Sequence, residues 1–198
     1  MISAVLKPTV TRLITPVSRF ALRIGITPNA VTWVGAIGVV VSALYFYPRG
    51  DFFVGTAIVT FFVLSDLFDG TMARISKIGA SRWGGFLDST IDRVTDSAIL
   101  VGVAIYLIKM HDALAPIVLV AIVSGLLVSY IRAKAESFGI ACTSGFAERT
   151  ERLVIVLIAI ALEGLGLAYA LTIGIWLLAI LGIVTVFQRM LVVKRAMK

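Results

Sequence analysis

Thiols and imidazoles are nearly absent from this sequence: of 198 residues, one is a cysteine, Cys142, and one a histidine, His111. A single cysteine excludes an internal disulfide and any thiol pair able to grip a metal. With no His or Cys set available, a zinc site is not expected. His111 falls beside Lys109 in an expected outer loop and reads as a solvated surface residue. The start of the chain has no continuous apolar core followed by a small-residue cleavage site, so no secretory signal is expected there. Charge is also scarce, at 15% Asp, Glu, Lys and Arg. What takes its place is apolar, with 60% hydrophobic residues and a mean hydropathy of +1.04. Soluble domains are nearer half apolar, so long runs of this kind point to the bilayer as solvent.

Six apolar runs can be counted, over roughly 30–48, 52–75, 84–109, 113–134, 147–163 and 167–192. Each is of a length that suits a membrane helix. The last two are separated only by Glu163 and nearby glycines, and together they are too long for one straight span. The expected fold is therefore all-α and integral to the membrane: one domain over 1–198, with a six-helix bundle over 30–192. No internal repeat or low-complexity segment interrupts it.

The net charge of +7 raises the question of nucleic acid, but the basic residues sit at the ends of apolar runs and not along one soluble face. Of the 18 lysines and arginines, only Arg49 and Lys109 fall on one side of the expected topology. The crowded side should be cytoplasmic. Six spans with both termini inside satisfy that distribution, in the cell's inner (plasma) membrane, with no nucleic-acid partner. Residues 2–22 precede the first run and mix Ile2, Val5, Leu6 and Phe20 with Lys7, Arg12 and Arg19. They suit an amphipathic helix lying among lipid headgroups, interrupted near Pro8 and Pro16.

Carboxylates inside such runs are expensive unless they face water, a cation or a partner. Asp66 and Asp69 stand three apart near the cytoplasmic end of the second run. Asp88, Asp92 and Asp96 stand four apart in the third. Spacings of three and four put side chains on one helical face. Like charges so stacked call for divalent cations, and hard oxygen donors suit magnesium, manganese or calcium. Pairing with Arg74, Arg82 and Arg93 would explain one such acid but not four converging from two runs. Asp96 is different, since Arg93 or Arg132 could account for it. Gly70, Gly84 and Gly85 flank these acids and would let a ligand or a helix approach the backbone. Gly35 and Gly38 in the first run read as packing positions.

Written out, the central stretch is DLFDGTMAR, a short basic loop, then GGFLDSTID. It resembles the signature of the CDP-alcohol phosphatidyltransferase family, Asp-x-x-Asp-Gly-x-x-Ala-Arg followed by Gly-x-x-x-Asp-x-x-x-Asp. The matching positions are Asp66, Asp69, Gly70, Ala73, Arg74, Gly84, Asp88 and Asp92, within 27 residues. The resemblance implies a transfer of a phosphatidyl group from CDP-diacylglycerol to an alcohol, assisted by two Mg2+ or Mn2+ ions. It implies that Asp66, Asp69, Asp88 and Asp92 bind metal and that Asp92 is also the general base. Gly70, Ala73 and Arg74 would hold the CDP-lipid. Asn29 and Thr32, in ITPNAVT, resemble further nucleotide contacts, with a helix cap as the alternative. The family also implies a homodimer among membrane lipids.

The acceptor must be read from the remaining basic residues. Arg149 and Arg152 lie three apart on one face, and arginine forks suit a phosphate dianion. Lys134 and Arg195 join them as candidate acceptor-phosphate contacts, although inside-positive topology alone predicts some of these charges. The stretch AERTERLVIVLIAI resembles the same region of the bacterial phosphatidylinositol phosphate synthases within the family. Inositol phosphate is accordingly the expected acceptor, with glycerol phosphate (phosphatidylglycerol phosphate synthesis) second. A cation transporter is the alternative from another class; it would place acids at the midplane, with access from both faces.

Overall fold

The computed structural model describes residues 14–76, 81–142, 145 and 148–197. Every regular element among them is helical. Helix α1 covers residues 14–23. It is followed by α2 (Pro28–Phe46), a 3-10 turn (Tyr47–Arg49), α3 (Phe52–Val63), α4 (Ser65–Ile75) and α5 (Arg82–Lys109). Helices α6 (Ala115–Ser137), α7 (Arg149–Gly164) and α8 (Ala170–Ala196) complete the order. Among the described residues, four stretches are long and apolar enough to cross a membrane: Pro28–Arg49, Phe52–Ile75, Ala115–Ser137 and Ala170–Ala196.

The other two expected spans differ for opposite reasons. Helix α5 has 28 residues, about 42 Å of helix, but Arg82, Asp88, Asp92 and Arg93 occupy its first half and Asp96 follows directly. Helix α7 is apolar but has only 16 residues, about 24 Å. Of the expected N-terminal helix over 2–22, α1 supplies the part from residue 14, and residues 1–13 lie outside the described residues. The expected interruption at Pro16 is not there. Pro16 lies within the described part of α1, which runs on without a break to residue 23.

The chain divides into two compact units, one of residues up to Ser42 with Ala57–Ala98, the other of Ala43–Thr56 with Ile99 onward. In the first unit Ala36 of α2 is buried with Leu87 and Ile91 of α5. The expected second run proves to be two helices, broken at Leu64. The Ser65 hydroxyl donates to the Phe62 carbonyl at 2.6 Å, taking up a group the helical ladder would otherwise use. Gly35 and Gly38 lie opposite this break: a Cβ on either would collide with the Ser65 hydroxyl or the Phe62 ring. Both glycines are packing positions, as the sequence suggests.

In the second unit α6 and α7 pack along α8. Small residues set the approach again, Gly182 against Ser124 and Gly174 against Ala159. Glu163 accepts a bond from the Leu171 backbone N–H at 2.9 Å, tying the short turn between α7 and α8. The Tyr47 and Thr56 hydroxyls pair at 3.2 Å, fully buried, at the turn after α2.

Candidate active site

The first unit holds a cavity of about 570 Å³ walled by the start of α2, by α4 and by the start of α5. Thr27 caps α2, its Oγ1 accepting from the Ala30 N–H at 3.2 Å. The capping role therefore belongs to Thr27, and both Asn29 and Thr32 face the cavity. Ser81 caps α5 in the same way, accepting from the Gly84 N–H at 2.9 Å. These two caps orient the helix starts that frame the space.

Asp69, Gly70, Ala73 and Arg74 of α4 and Gly84, Gly85 and Asp88 of α5 also line it. Asp69 is buried, and its Oδ2 accepts from the Thr32 hydroxyl at 2.5 Å. Arg74 folds back along its own helix, donating through Nε to the Gly70 carbonyl at 3.0 Å and through Nη2 to Thr71 Oγ1 at 3.3 Å. A Cβ on Gly70 or Gly85 would meet nothing within 4 Å. Unlike Gly35 and Gly38, these two glycines keep space open and do not seat a neighbouring helix.

The signature carboxylates are only partly gathered by this cavity. Asp69 and Asp88 line it, whereas Asp92 is not among its lining residues. Asp92 lies one turn beyond Asp88 on α5, half-buried, with Oδ2 3.9 Å from Arg93 Nη1. Asp96 is half-buried a turn further. Arg93 also donates to the Ser89 carbonyl, and so stays on its own helix. Asp66 is on α4, and its side chain lies outside the described residues. Among the described side chains no group of three acids, histidines or cysteines converges to hold an ion. The carboxylate donors at Asp69 and Asp88, beside space kept clear by Gly70 and Gly85, fit a hard cation such as Mg2+ or Mn2+.

The four candidate acceptor contacts all belong to the second unit. Arg149 and Arg152 stand half-buried in the opening turns of α7. That opening is a capping box, with the Glu148 N–H donating to Glu151 Oε2 at 3.1 Å. Lys134 is exposed, its Nζ 4.7 Å from the centre of the Phe138 ring. Arg195 is exposed. Arg189 stands in the same terminal basic cluster as Arg195 but outside the candidate contacts, and it is buried. Its Nη1 donates to the Val128 carbonyl of α6 at 2.6 Å. The available signal was its place, a guanidinium seven residues inside the end of the most apolar stretch.

The sequence profile of the CDP-alcohol phosphatidyltransferases matches residues 25–190. A phosphatidylinositol phosphate synthase of Streptomyces avermitilis is 45% identical over 195 residues, covering 93% of this chain and 79% of its own. One from Cutibacterium acnes is 41% identical, covering 93% of this chain and 94% of its own. The crystal structure of the Mycobacterium tuberculosis phosphatidylinositol phosphate synthase with CDP-DAG bound superposes with a TM-score of 0.87 at 40% identity. It covers 92% of this chain and 94% of its own. The structure of that enzyme in complex with manganese and citrate gives 0.85 at 39%, covering 91% of this chain and 88% of its own.

Proposed function

We propose that this chain, which belongs to the CDP-alcohol phosphatidyltransferase family, passes the phosphatidyl group of CDP-diacylglycerol to inositol phosphate, releasing phosphatidylinositol phosphate and CMP. The observation that carries this reading is the cavity itself. It collects Asn29, Thr32, Asp69, Gly70, Ala73, Arg74, Gly84 and Asp88, from three separate helices, around one opening. Seven of these eight are candidate ligand contacts on sequence grounds, and the eighth, Gly84, is a signature glycine. The family match over 25–190 sets aside the transporter alternative.

In the proposed reaction Asn29, Thr32, Gly70 and Ala73 border the cytidine end of the donor, with Arg74 set against its diphosphate. Asp92 holds the acceptor hydroxyl and takes its proton onto a carboxylate oxygen. The acceptor oxygen forms its bond to the phosphorus that carries the diacylglycerol. The bond from that phosphorus to the bridging oxygen breaks, and CMP leaves with the bridging oxygen. Two Mg2+ or Mn2+ ions held by Asp66, Asp69, Asp88 and Asp92 would supply neutralisation of the diphosphate charge. Lys134, Arg149, Arg152 and Arg195 are the proposed contacts to the phosphate of the acceptor, for which an arginine fork is well shaped.

The enzyme is placed in the inner (plasma) membrane as one domain and as a homodimer. Its six spans comprise the four apolar stretches with α5 and α7, both termini and the aspartates being cytoplasmic. Support comes from the sparse side: Lys109 donates to the carbonyl of Pro48, next to Arg49, at 3.3 Å. The two outlying basic residues thus belong to adjacent turns at one end of the helices.

The deciding experiment is CMP release by purified protein from CDP-diacylglycerol with Mg2+ or Mn2+, offering inositol phosphate, glycerol phosphate, inositol and serine separately. Release with inositol phosphate alone is expected. Release with glycerol phosphate instead would overturn the acceptor and keep the chemistry, and release with none would sink the reading.

A further inference from the structure

Thr32 has one hydroxyl hydrogen and two acceptors in reach, the Pro28 carbonyl at 3.2 Å and Asp69 Oδ2 at 2.5 Å. The first is the ordinary back-bond of a helical threonine. The second is the shorter of the two and reaches a carboxylate, and hydrogen bonds to an ionised carboxylate are about twice as strong as neutral ones. The hydrogen therefore belongs to Asp69. Both side chains are buried, at 6% exposure each, so water competes little for either partner. The bond joins residues 37 apart in sequence, from the first turn and a half of α2 to the middle of α4.

A carboxylate rotates easily about its last bond. Tethering Oδ2 to Thr32 selects one orientation of Asp69 and so decides which oxygen edge the cavity receives. We propose that Thr32 is a positioning residue: its hydroxyl orients Asp69 for cation binding and is not chiefly a contact to the nucleotide. The proposal rests on the reading of Asp69 as a metal ligand, and its chemistry is that of a hydrogen bond behind a ligating carboxylate. Losing such a partner typically weakens metal binding by about 10- to 100-fold.

The test is Mn2+ affinity of the full-length protein in detergent, followed by electron paramagnetic resonance without substrate. Thr32→Val keeps shape and burial but removes the donor; Thr32→Ser keeps the donor. Val should weaken Mn2+ binding by about tenfold or more, and Ser should restore it. CDP binding measured without metal should fall much less in Val than Mn2+ binding does. Should Val fail to fold, Thr32→Ala gives the same comparison without its bulk. Mn2+ affinity in Val equal to wild type would overturn the positioning role alone, as would a loss of metal-free CDP binding as large as the loss of Mn2+ binding. Wild-type protein that binds no Mn2+ would overturn the metal reading beneath it.

Discussion

Asn29 and Gly84 approach so closely that a Cβ on Gly84 would stand 3.3 Å from the Asn29 side-chain oxygen. The start of α2 and the start of α5 thus meet at the cavity edge through an absent side chain. A methyl group there would press on Asn29 and on the Ser81 cap, which lies at 3.0 Å. Gly84→Ala is expected to raise the KM for CDP-diacylglycerol more than it lowers melting temperature. A fall in melting temperature with unchanged KM would make Gly84 a packing residue only.

Gly70 and Gly38 make a matched pair for the same question. A Cβ at Gly38 would collide with the Phe62 ring, while one at Gly70 meets nothing within 4 Å. Gly38→Ala should destabilise the protein by about 1–3 kcal/mol, as overpacking does. Gly70→Ala should leave thermal stability near wild type and weaken CDP-lipid binding. Thermal melting and nucleotide titration of both variants check this together.

Asp92 is proposed to take the acceptor proton. Asp92→Asn should lower turnover by about 10²–10⁴-fold, the usual worth of a general base. CDP binding should survive, because Asp92 is not among the residues lining the cavity. Wild-type turnover in this variant would remove Asp92 from the role.

Arg152 stands half-buried in the opening turns of α7, where a positive side chain gains nothing from the helix dipole. Arg152→Ala should raise the acceptor KM by about 10- to 100-fold, the equivalent of one charge-assisted hydrogen bond. The KM for CDP-diacylglycerol should hold. An unchanged acceptor KM would leave this arginine to topology.

Arg189 makes the contrasting case. Its buried guanidinium is bonded to the Val128 carbonyl, so Arg189→Met removes a tie between α8 and α6. A stability loss of about 1–3 kcal/mol is expected, read as a lower melting temperature. Arg195→Met, at an exposed position, should change melting little.

How much of this was legible beforehand can be seen residue by residue. Asp66 with Asp69, and Asp88 with Asp92, announce shared faces because helical spacing is set by the backbone within a few residues. The apolar runs announce their helices for the same local reason. The break at Leu64 was not visible, since it depends on the Ser65 hydroxyl choosing the Phe62 carbonyl opposite a glycine on another helix.

The sequence by itself determined a helical chain suited to a membrane, the order of its helices and the family signature. The first two follow from composition and short-range periodicity, and the signature is a resemblance carried by named residues at set spacings. Only the tertiary structure decided that Thr27 caps α2 while Thr32 turns to Asp69, that Gly70 opens space while Gly38 closes it, and that Arg189 is buried where Arg195 is not. The Thr27 cap is local, but Thr32, Gly38 and Arg189 each depend on a partner from another helix. Side-chain partners tens of residues away are chosen by packing, which no local spacing encodes.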